Sequence, residues 1–256
     1  MLNLIKYEFV KKYKFVLITM IVSALLNIFL ITKGASGSSF FLIIFPMVMA
    51  ILYIGDIIKM YSDDLNKKSG YMLFMTPNSG YKIIVSKLLT AVIEGFAILL
   101  LYFIFIIING TYINIVLGAN INFSDIIYAV DKLVSGSLGF NLAHVFIFLL
   151  TALLFLISFL TTAYTAMTIR KSIFSEIKYG GALSFIIFIL LNWAISYVSS
   201  KLSGLFTPFY YYFEFTTWPT VSEFFRILMP ANALFIVQII LLTLCSGYLL
   251  EKKINL

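Results

Sequence analysis

The chain has 256 residues, of which 62% are hydrophobic and 11% are charged, and its mean hydropathy is +1.04. Soluble domains carry about 25% charged residues, because the outside of a soluble fold is largely polar. The composition therefore argues against a soluble enzyme, a DNA-binding protein and a disordered chain. Cys245 is the only cysteine, which excludes an intramolecular disulfide. One cysteine and one histidine also argue against a dedicated transition-metal site.

Six apolar runs are long enough to cross a bilayer, which requires about 20 apolar residues as a helix. They cover residues 15–32, 40–58, 88–108, 143–169, 181–199 and 231–250. We therefore expect an all-α polytopic membrane protein whose residues 1–256 form a single transmembrane domain.

The basic residues predict the orientation of these spans. Fourteen of the 18 lysines and arginines fall in segments on the same side as the N-terminus, and four fall on the other side. Loops rich in lysine and arginine stay in the cytoplasm. The split predicts a multi-pass protein of the bacterial cytoplasmic membrane with both termini in the cytoplasm. The net charge of +7 is then a consequence of topology, and no nucleic-acid partner is expected.

Residues 1–14 have the pattern of a short amphipathic helix that precedes the first span. Apolar residues share one face, while Lys6, Lys11 and Lys12 lie off it. A basic amphipathic helix lies in the membrane interface with its lysines toward anionic lipid. The alternative is a plain basic flank of the first span.

The first inner loop, residues 59–87, is the longest segment predicted to be cytoplasmic. A polar start precedes an apolar block and a Pro-Asn-Ser-Gly turn. Apolar side chains in the cytosol need an explanation. They either dock a soluble partner or pack under the bundle and in the headgroups. The candidate contact residues in this loop are Asp63, Asp64, Lys67, Lys68, Tyr71, Phe74 and Met75.

The second inner loop, residues 170–178, mixes basic residues with Ile173 and Phe174. It is either a second, smaller contact for the same partner or a basic turn between two helices.

The outer segment, residues 201–230, is dense in aromatic residues. Most of these rings are expected to anchor the protein at the interface. The alternative is a pair of short re-entrant helices that form an outer gate, with Phe209, Tyr210, Phe213 and Trp218 as candidate gate residues. Thr220 and Glu223 fit a capping box, which predicts a short helix that ends by Pro230.

Asp56 and Glu94 are the only acidic residues within the six spans. An ionisable group in hydrocarbon costs about 2.5–3.5 kcal/mol, so each needs a reason to be there. Lys59, one helical turn after Asp56, is a candidate partner. The two carboxylates either line a polar pathway or form a structural pair that reaches interfacial water.

The fourth span carries a stripe of hydroxyl side chains at helical spacing. Such a stripe either lines a cavity or packs against a neighbouring helix, and packing is the commoner outcome. Its members, further candidates for a polar pathway, are Ser158, Thr161, Thr162 and Thr165.

Motifs for catalysis are absent from the sequence. It has no G-x-x-x-x-G-K-[ST] phosphate loop, no G-x-S-x-G and no H-E-x-x-H. The chain is therefore not expected to be an enzyme or to hold a cofactor. Work against a gradient would need energy from a partner or an ion.

Two short stretches of the sequence are similar to segments of a known protein family. Residues 70–79 read GYMLFMTPNS and are followed by KLL at 87–89, and residues 207–210 read TPFY. With the amphipathic start, the six spans, the long first inner loop and the aromatic outer segment, these stretches resemble the ABC-2 type permease family. Its members are the membrane subunits of ATP-binding-cassette exporters. The resemblance covers essentially the whole chain, and architecture carries more of it than the motifs do.

The resemblance implies a set of roles. Residues 1–14 would be the elbow helix, 63–75 would dock on an ATPase subunit, and 170–176 would form the second contact. The complex would contain two permease subunits, identical or related, and two ATPase subunits that bind ATP and Mg²⁺. Alternating access would export an amphipathic or hydrophobic substrate, with a peptide or toxin as the best guess. The competing reading is an autonomous membrane protein, either an immunity protein that binds a toxin or an ion-driven carrier.

Overall fold

Six long helices make up most of the computed structural model, which describes residues 2–66, 79–118, 128, 131–132, 134–136, 141–174, 180–203 and 219–252. Nearly all of these described residues are helical, and none of them lies in a strand. Each of the six helices is long and apolar enough to cross a membrane, so the chain is a multi-pass all-α membrane protein. The helices are α1 (Leu2–Ile31), α2 (Ala35–Asn66), α3 (Gly80–Leu117), α4 (Leu142–Ile173), α5 (Gly180–Ser203) and α6 (Val221–Lys252).

Helix α1 joins two elements that the sequence predicted as separate. The expected elbow helix and the first span form one uninterrupted helix from Leu2 to Ile31. No glycine or proline lies in this stretch, so nothing breaks the hydrogen-bond ladder at the expected boundary. The prediction of a distinct helix ending near residue 14 is therefore wrong.

A tight turn at Gly34 separates α1 from α2. Its φ of +85° belongs to a region that glycine adopts without strain. The Gly34 N–H donates to the carbonyl of Ile31 at 3.1 Å, and its own carbonyl accepts from the N–H of Ser38 at 3.1 Å. This turn lets α2 begin almost immediately after α1 ends.

The described residues fall into two compact units within what the sequence predicted as one domain. The first comprises Met1–Tyr61 and Ser86–Asp125, which contain α1 and most of α2 and α3. A mainly aromatic cluster fills the space between the helices of this unit. The cluster consists of Phe41, Phe45, Met49 and Phe105, and its phenylalanine rings lie 5.1–5.3 Å apart.

Pro46 lies inside α2 of this first unit. Proline has no N–H, so the carbonyl of Leu42, four residues earlier, loses its helical partner. The hydroxyl of Tyr102 on α3 donates to that carbonyl at 3.0 Å. The missing helical bond is thus replaced by one that joins two helices.

The second unit comprises Ser62–Val85 and Ile126–Leu256, so it contains α4, α5, α6 and the adjoining ends of α2 and α3. Helix α4 packs against both α5 and α6. Aromatic pairs mark these contacts: Phe159 meets Phe188 of α5 at 5.3 Å, and Phe155 meets Phe235 of α6 at 5.8 Å.

Helix α6 begins where the capping box predicted. Glu223 accepts from the N–H of Thr220 at 2.8 Å, and the Thr220 hydroxyl accepts from the N–H of Glu223 at 3.4 Å. The expected end at Pro230 is wrong, because the helix continues through this proline to Lys252. A proline removes one hydrogen bond from a helix. The long apolar segment that follows keeps its other helical hydrogen bonds, because backbone groups in a membrane have no water to bind instead.

Candidate functional site

Five ionisable side chains come together inside the first unit. Glu8 and Lys12 extend from α1, Asp56 from α2, and Lys87 and Glu94 from α3. Four of them are buried, with exposed fractions between 0% and 8%, and the Asp56 side chain is 13% exposed. We call these five residues the charge network.

The charge network has two parts. The ammonium nitrogen of Lys12 lies 2.9 Å from Glu94 Oε2 and also forms an ion pair with Asp56 Oδ2. The ammonium nitrogen of Lys87 lies 2.5 Å from Glu8 Oε1. Lys12 is therefore shared by two carboxylates.

Helical spacing explains why α1 and α3 meet at these residues. Glu8 and Lys12 are one turn apart on α1, while Lys87 and Glu94 are two turns apart on α3, so each pair lies on one helix face. The contacts Glu8–Lys87 and Lys12–Glu94 then place the two helices side by side in the same direction. Burying these charges is costly, and pairing each with its opposite offsets the cost.

Tyr53 brings α2 close to α3 beside the charge network. Its hydroxyl donates to the carbonyl of Ala91 at 2.6 Å. Gly95 permits this approach, since a Cβ there would lie 3.0 Å from the tyrosine oxygen. The contact holds Asp56 and Glu94, which follow Tyr53 and Ala91 by about one turn, near each other.

Two sequence predictions at this site are wrong. Lys12 was expected to face lipid headgroups, but it is buried against two carboxylates. Lys59 was the candidate partner of Asp56, and Lys12 takes that place because α1 lies against α2 at this point. Lys6 and Lys11 are exposed, as expected of lysines that face the interface.

Glu8 and Lys87 were not singled out as site residues by the sequence. The available signal was the spacing Glu8–Lys12 and Lys87–Glu94, which puts opposite charges on one face of each helix.

Arg170 is the centre of a second polar site, at the C-terminal end of α4 in the second unit. Its Nη2 donates to Asn66 Oδ1 at 2.8 Å, and its Nε donates to Ser184 Oγ at 3.4 Å. The arginine is buried, and a Cβ at Gly180 would come within 2.6 Å of its guanidinium carbon. Arg170 thus joins the end of α2 to both helices that flank residues 175–179.

The other end of the first inner loop is attached to the last helix. The N–H of Gly80, the first residue of α3, donates to Glu251 Oε1 at 2.9 Å. Tyr81 packs directly on Gly247 of α6. Asn66 and Gly80 border residues 67–78, so both borders of the segment are held by helices of the second unit.

The predicted docking residues differ in accessibility. Ile173 and Phe174 are exposed apolar side chains, 63% and 39% accessible, at the end of α4. Asp63 is half-buried, whereas Asp64 is buried and is therefore not accessible for docking in this structure. The remaining candidates, Lys67, Lys68, Tyr71, Phe74 and Met75, lie outside the described residues.

The hydroxyl stripe of α4 lies against α6. Its four residues are buried, and their hydroxyl groups donate to carbonyls of their own helix. Gln238 of α6 donates to the hydroxyl oxygen of Thr162 at 2.9 Å, and Thr165 donates to the carbonyl of Leu242 at 3.3 Å. These contacts fit the packing alternative for Ser158, Thr161, Thr162 and Thr165.

His144 is buried at the start of α4. Its Nε2 donates to the carbonyl of Pro219 at 2.9 Å, and its Nδ1 accepts from the N–H of Asn141 at 3.1 Å. The imidazole thus ties the start of α4 to the residues just before α6. The gate candidates Phe209, Tyr210, Phe213 and Trp218 lie outside the described residues.

Over the described ranges, no three His, Cys, Asp or Glu side chains are grouped closely enough to hold a metal ion. Comparisons with protein-family models, with curated proteins and with solved structures found no match.

Proposed function

We propose that this protein is the membrane permease subunit of an ATP-binding-cassette exporter of the ABC-2 type. The observation that carries the proposal is the contact between Arg170 and Asn66. Asn66 lies within the first segment expected to dock on an ATPase, Arg170 begins the second, and the two residues are 104 positions apart in the chain. A single ATPase subunit can engage both segments only if they lie close together.

Mechanical coupling also requires that a docked segment transmit force to the spans. Residues 67–78 are bordered by Asn66, held by Arg170 of α4, and by Gly80, held by Glu251 of α6. Movement of the segment would therefore act on two helices of the second unit at once. Exposed Ile173 and Phe174 supply apolar area for the second contact.

In this proposal the ATPase partner is present in two copies and supplies the ATP- and Mg²⁺-dependent chemistry. A second permease subunit, identical or related, completes the complex in the bacterial cytoplasmic membrane. ATP binding closes the ATPase pair and switches the spans between inward and outward access. An amphipathic peptide is the proposed substrate, since its apolar face suits a pathway between apolar helices.

An ion-driven carrier is the second candidate, and the charge network is the observation that favours it. Ionisable side chains buried in a membrane protein are often parts of ion or proton pathways. A carrier of this kind would need no ATPase, so the energy source discriminates between the two functions.

The test uses inverted membrane vesicles from the native host, with and without the protein, and a fluorescent cationic amphipathic peptide as the probe. The proposal expects peptide uptake that requires ATP hydrolysis and persists when an uncoupler collapses the proton gradient. Arg170→Ala should reduce ATP-dependent uptake, and Lys201→Ala, at an exposed position, should leave it unchanged.

Uptake that ignores ATP and stops with the uncoupler would replace the proposal with the carrier. If the purified complex hydrolyses ATP faster with a glycolipid but not with amphipathic peptides, the substrate assignment is wrong and the permease assignment stands. Tight binding of a toxin with no transport would favour an immunity protein.

A further inference from the structure

The charge network contains more negative groups than positive ones. Glu8, Asp56 and Glu94 supply three carboxylates, whereas Lys12 and Lys87 supply two ammonium groups. If all five were ionised, one negative charge would remain in a buried site. Such a charge is expensive in a medium of low polarity, and proteins commonly neutralise it instead.

The excess negative charge lies on the two carboxylates that contact Lys12. Lys87 contacts Glu8, whereas Lys12 contacts both Asp56 and Glu94. Because one nitrogen contacts an oxygen of each carboxylate, the two carboxyl groups are neighbours, and they also interact with each other. Like charges at this separation disfavour ionisation of both groups.

Among the described residues, Lys12 is the basic side chain that pairs with Asp56 and Glu94. Tyr53, one turn before Asp56 on α2, donates its hydroxyl hydrogen to the carbonyl of Ala91. Another carboxylate oxygen of the network, Glu8 Oε2, is also buried, and it accepts no hydrogen bond from the described residues. In the part of the chain that the structure describes, one ammonium group thus faces two carboxylates at Lys12.

We propose that the charge network is a proton-binding site in which Asp56 and Glu94 share one proton on either side of Lys12. The bound proton makes the network neutral and provides the hydrogen that joins the two carboxyl groups. A proton suits the site better than a metal ion, because no group of three carboxylates in the described residues is close enough to ligate one. The partly exposed edges of Asp56 and Glu94, 13% and 10% accessible, let the proton enter.

Infrared spectroscopy of the purified full-length protein in lipid nanodiscs at neutral pH tests this directly. A protonated carboxyl group has a C=O stretching band that ionised carboxylates and amides lack, and the band shifts in deuterium oxide. The wild type should show one such band. Asp56→Asn and Glu94→Gln should each abolish it, because the remaining carboxylate then has Lys12 to itself.

Lys12→Met should have the opposite effect and strengthen the band, since both carboxyl groups must then be neutral. Asp131→Asn, at an exposed site outside the network, should leave the band unchanged, and size-exclusion chromatography should show that each variant is folded. A wild-type spectrum without the band, or a band that survives either Asp56→Asn or Glu94→Gln, would overturn the proposal. A wild-type spectrum without the band overturns the proposal even if a variant fails to fold.

The proposed proton does not depend on the exporter assignment. A proton-binding network could regulate an ATP-driven permease or energise a carrier, and the vesicle experiment separates these two. The infrared result concerns only the protonation state of Asp56 and Glu94, so either proposal can fail while the other stands.

Discussion

Replacing Lys12 with methionine tests the ion pairs that attach α1 to α2 and α3. Methionine keeps much of the side-chain volume but removes the ammonium group that serves Asp56 and Glu94. Two neighbouring carboxyl groups would then lose the ammonium group that both of them contact. We expect Lys12→Met to destabilise the protein strongly at neutral pH.

The magnitude follows from the burial of the site. Removing one partner of a buried ion pair costs about 3–5 kcal/mol. Asp56 and Glu94 retain 13% and 10% side-chain accessibility, so water recovers part of the loss. We therefore expect a loss near 3 kcal/mol, which is roughly a 150-fold change in the ratio of folded to unfolded protein. The loss should shrink as the pH falls, because taking up the protons that neutralise the two carboxyl groups then costs less free energy.

Unfolding by SDS in dodecylmaltoside micelles, followed by circular dichroism, gives the free-energy difference. Lys14→Met is the matched control, since Lys14 is an exposed lysine on the same helix and its loss should cost less than about 0.5 kcal/mol. Adding Asp56→Asn and Glu94→Gln to Lys12→Met should recover most of the stability, because no charge is left unpaired. Equal losses for Lys12→Met and Lys14→Met would refute the reasoning.

Two further predictions concern the second unit. Gly247→Ala places a Cβ within 2.6 Å of the Tyr81 ring, and it should lower the free energy of unfolding by about 1–3 kcal/mol in the same assay. The control Gly181→Ala, whose Cβ meets nothing within 4 Å, should not destabilise the protein. Equal effects of the two variants would contradict the observed packing. His144→Leu leaves the carbonyl of Pro219 without its donor and should lower the free energy of unfolding by about 1–3 kcal/mol. His144→Gln can keep one hydrogen bond and should cost less. If His144→Leu left the free energy of unfolding unchanged, this contact would contribute no stability.

The number and approximate position of the spans were predictable because the membrane imposes a local rule. A spanning helix must be apolar over about 20 consecutive residues, so the sequence alone shows where a span can lie. The capping box at Thr220 and Glu223 is local in the same way. Pro230 shows the limit, since a proline favours a helix end but the apolar segment around it continues the helix.

The charge network was not predictable in this way, because its partners are distant in sequence. Lys12 and Glu94 are 82 positions apart, so the pair exists only after α1 packs beside α3. A lysine in an amphipathic N-terminal segment has the same local pattern whether it faces a lipid phosphate or a buried carboxylate. Local spacing favoured Lys59 for Asp56, and tertiary packing brought Lys12 there instead.

The link between Arg170 and Asn66 illustrates the same point at the second site. The sequence predicted separate contact segments around these residues, but nothing local showed that their borders touch. The approach depends on the packing of α4 against the end of α2 within the second unit.

The most direct test of the permease assignment is copurification. The protein is extracted gently from its native host, and its partners are identified by mass spectrometry, alongside Phe74→Asp and the exposed control Lys201→Ala. The assignment predicts a soluble ATPase with the wild type and with Lys201→Ala, and its loss with Phe74→Asp, because an added charge disrupts an apolar docking surface. Wild-type protein that repeatedly purifies without an ATPase would contradict the assignment and favour an autonomous membrane protein.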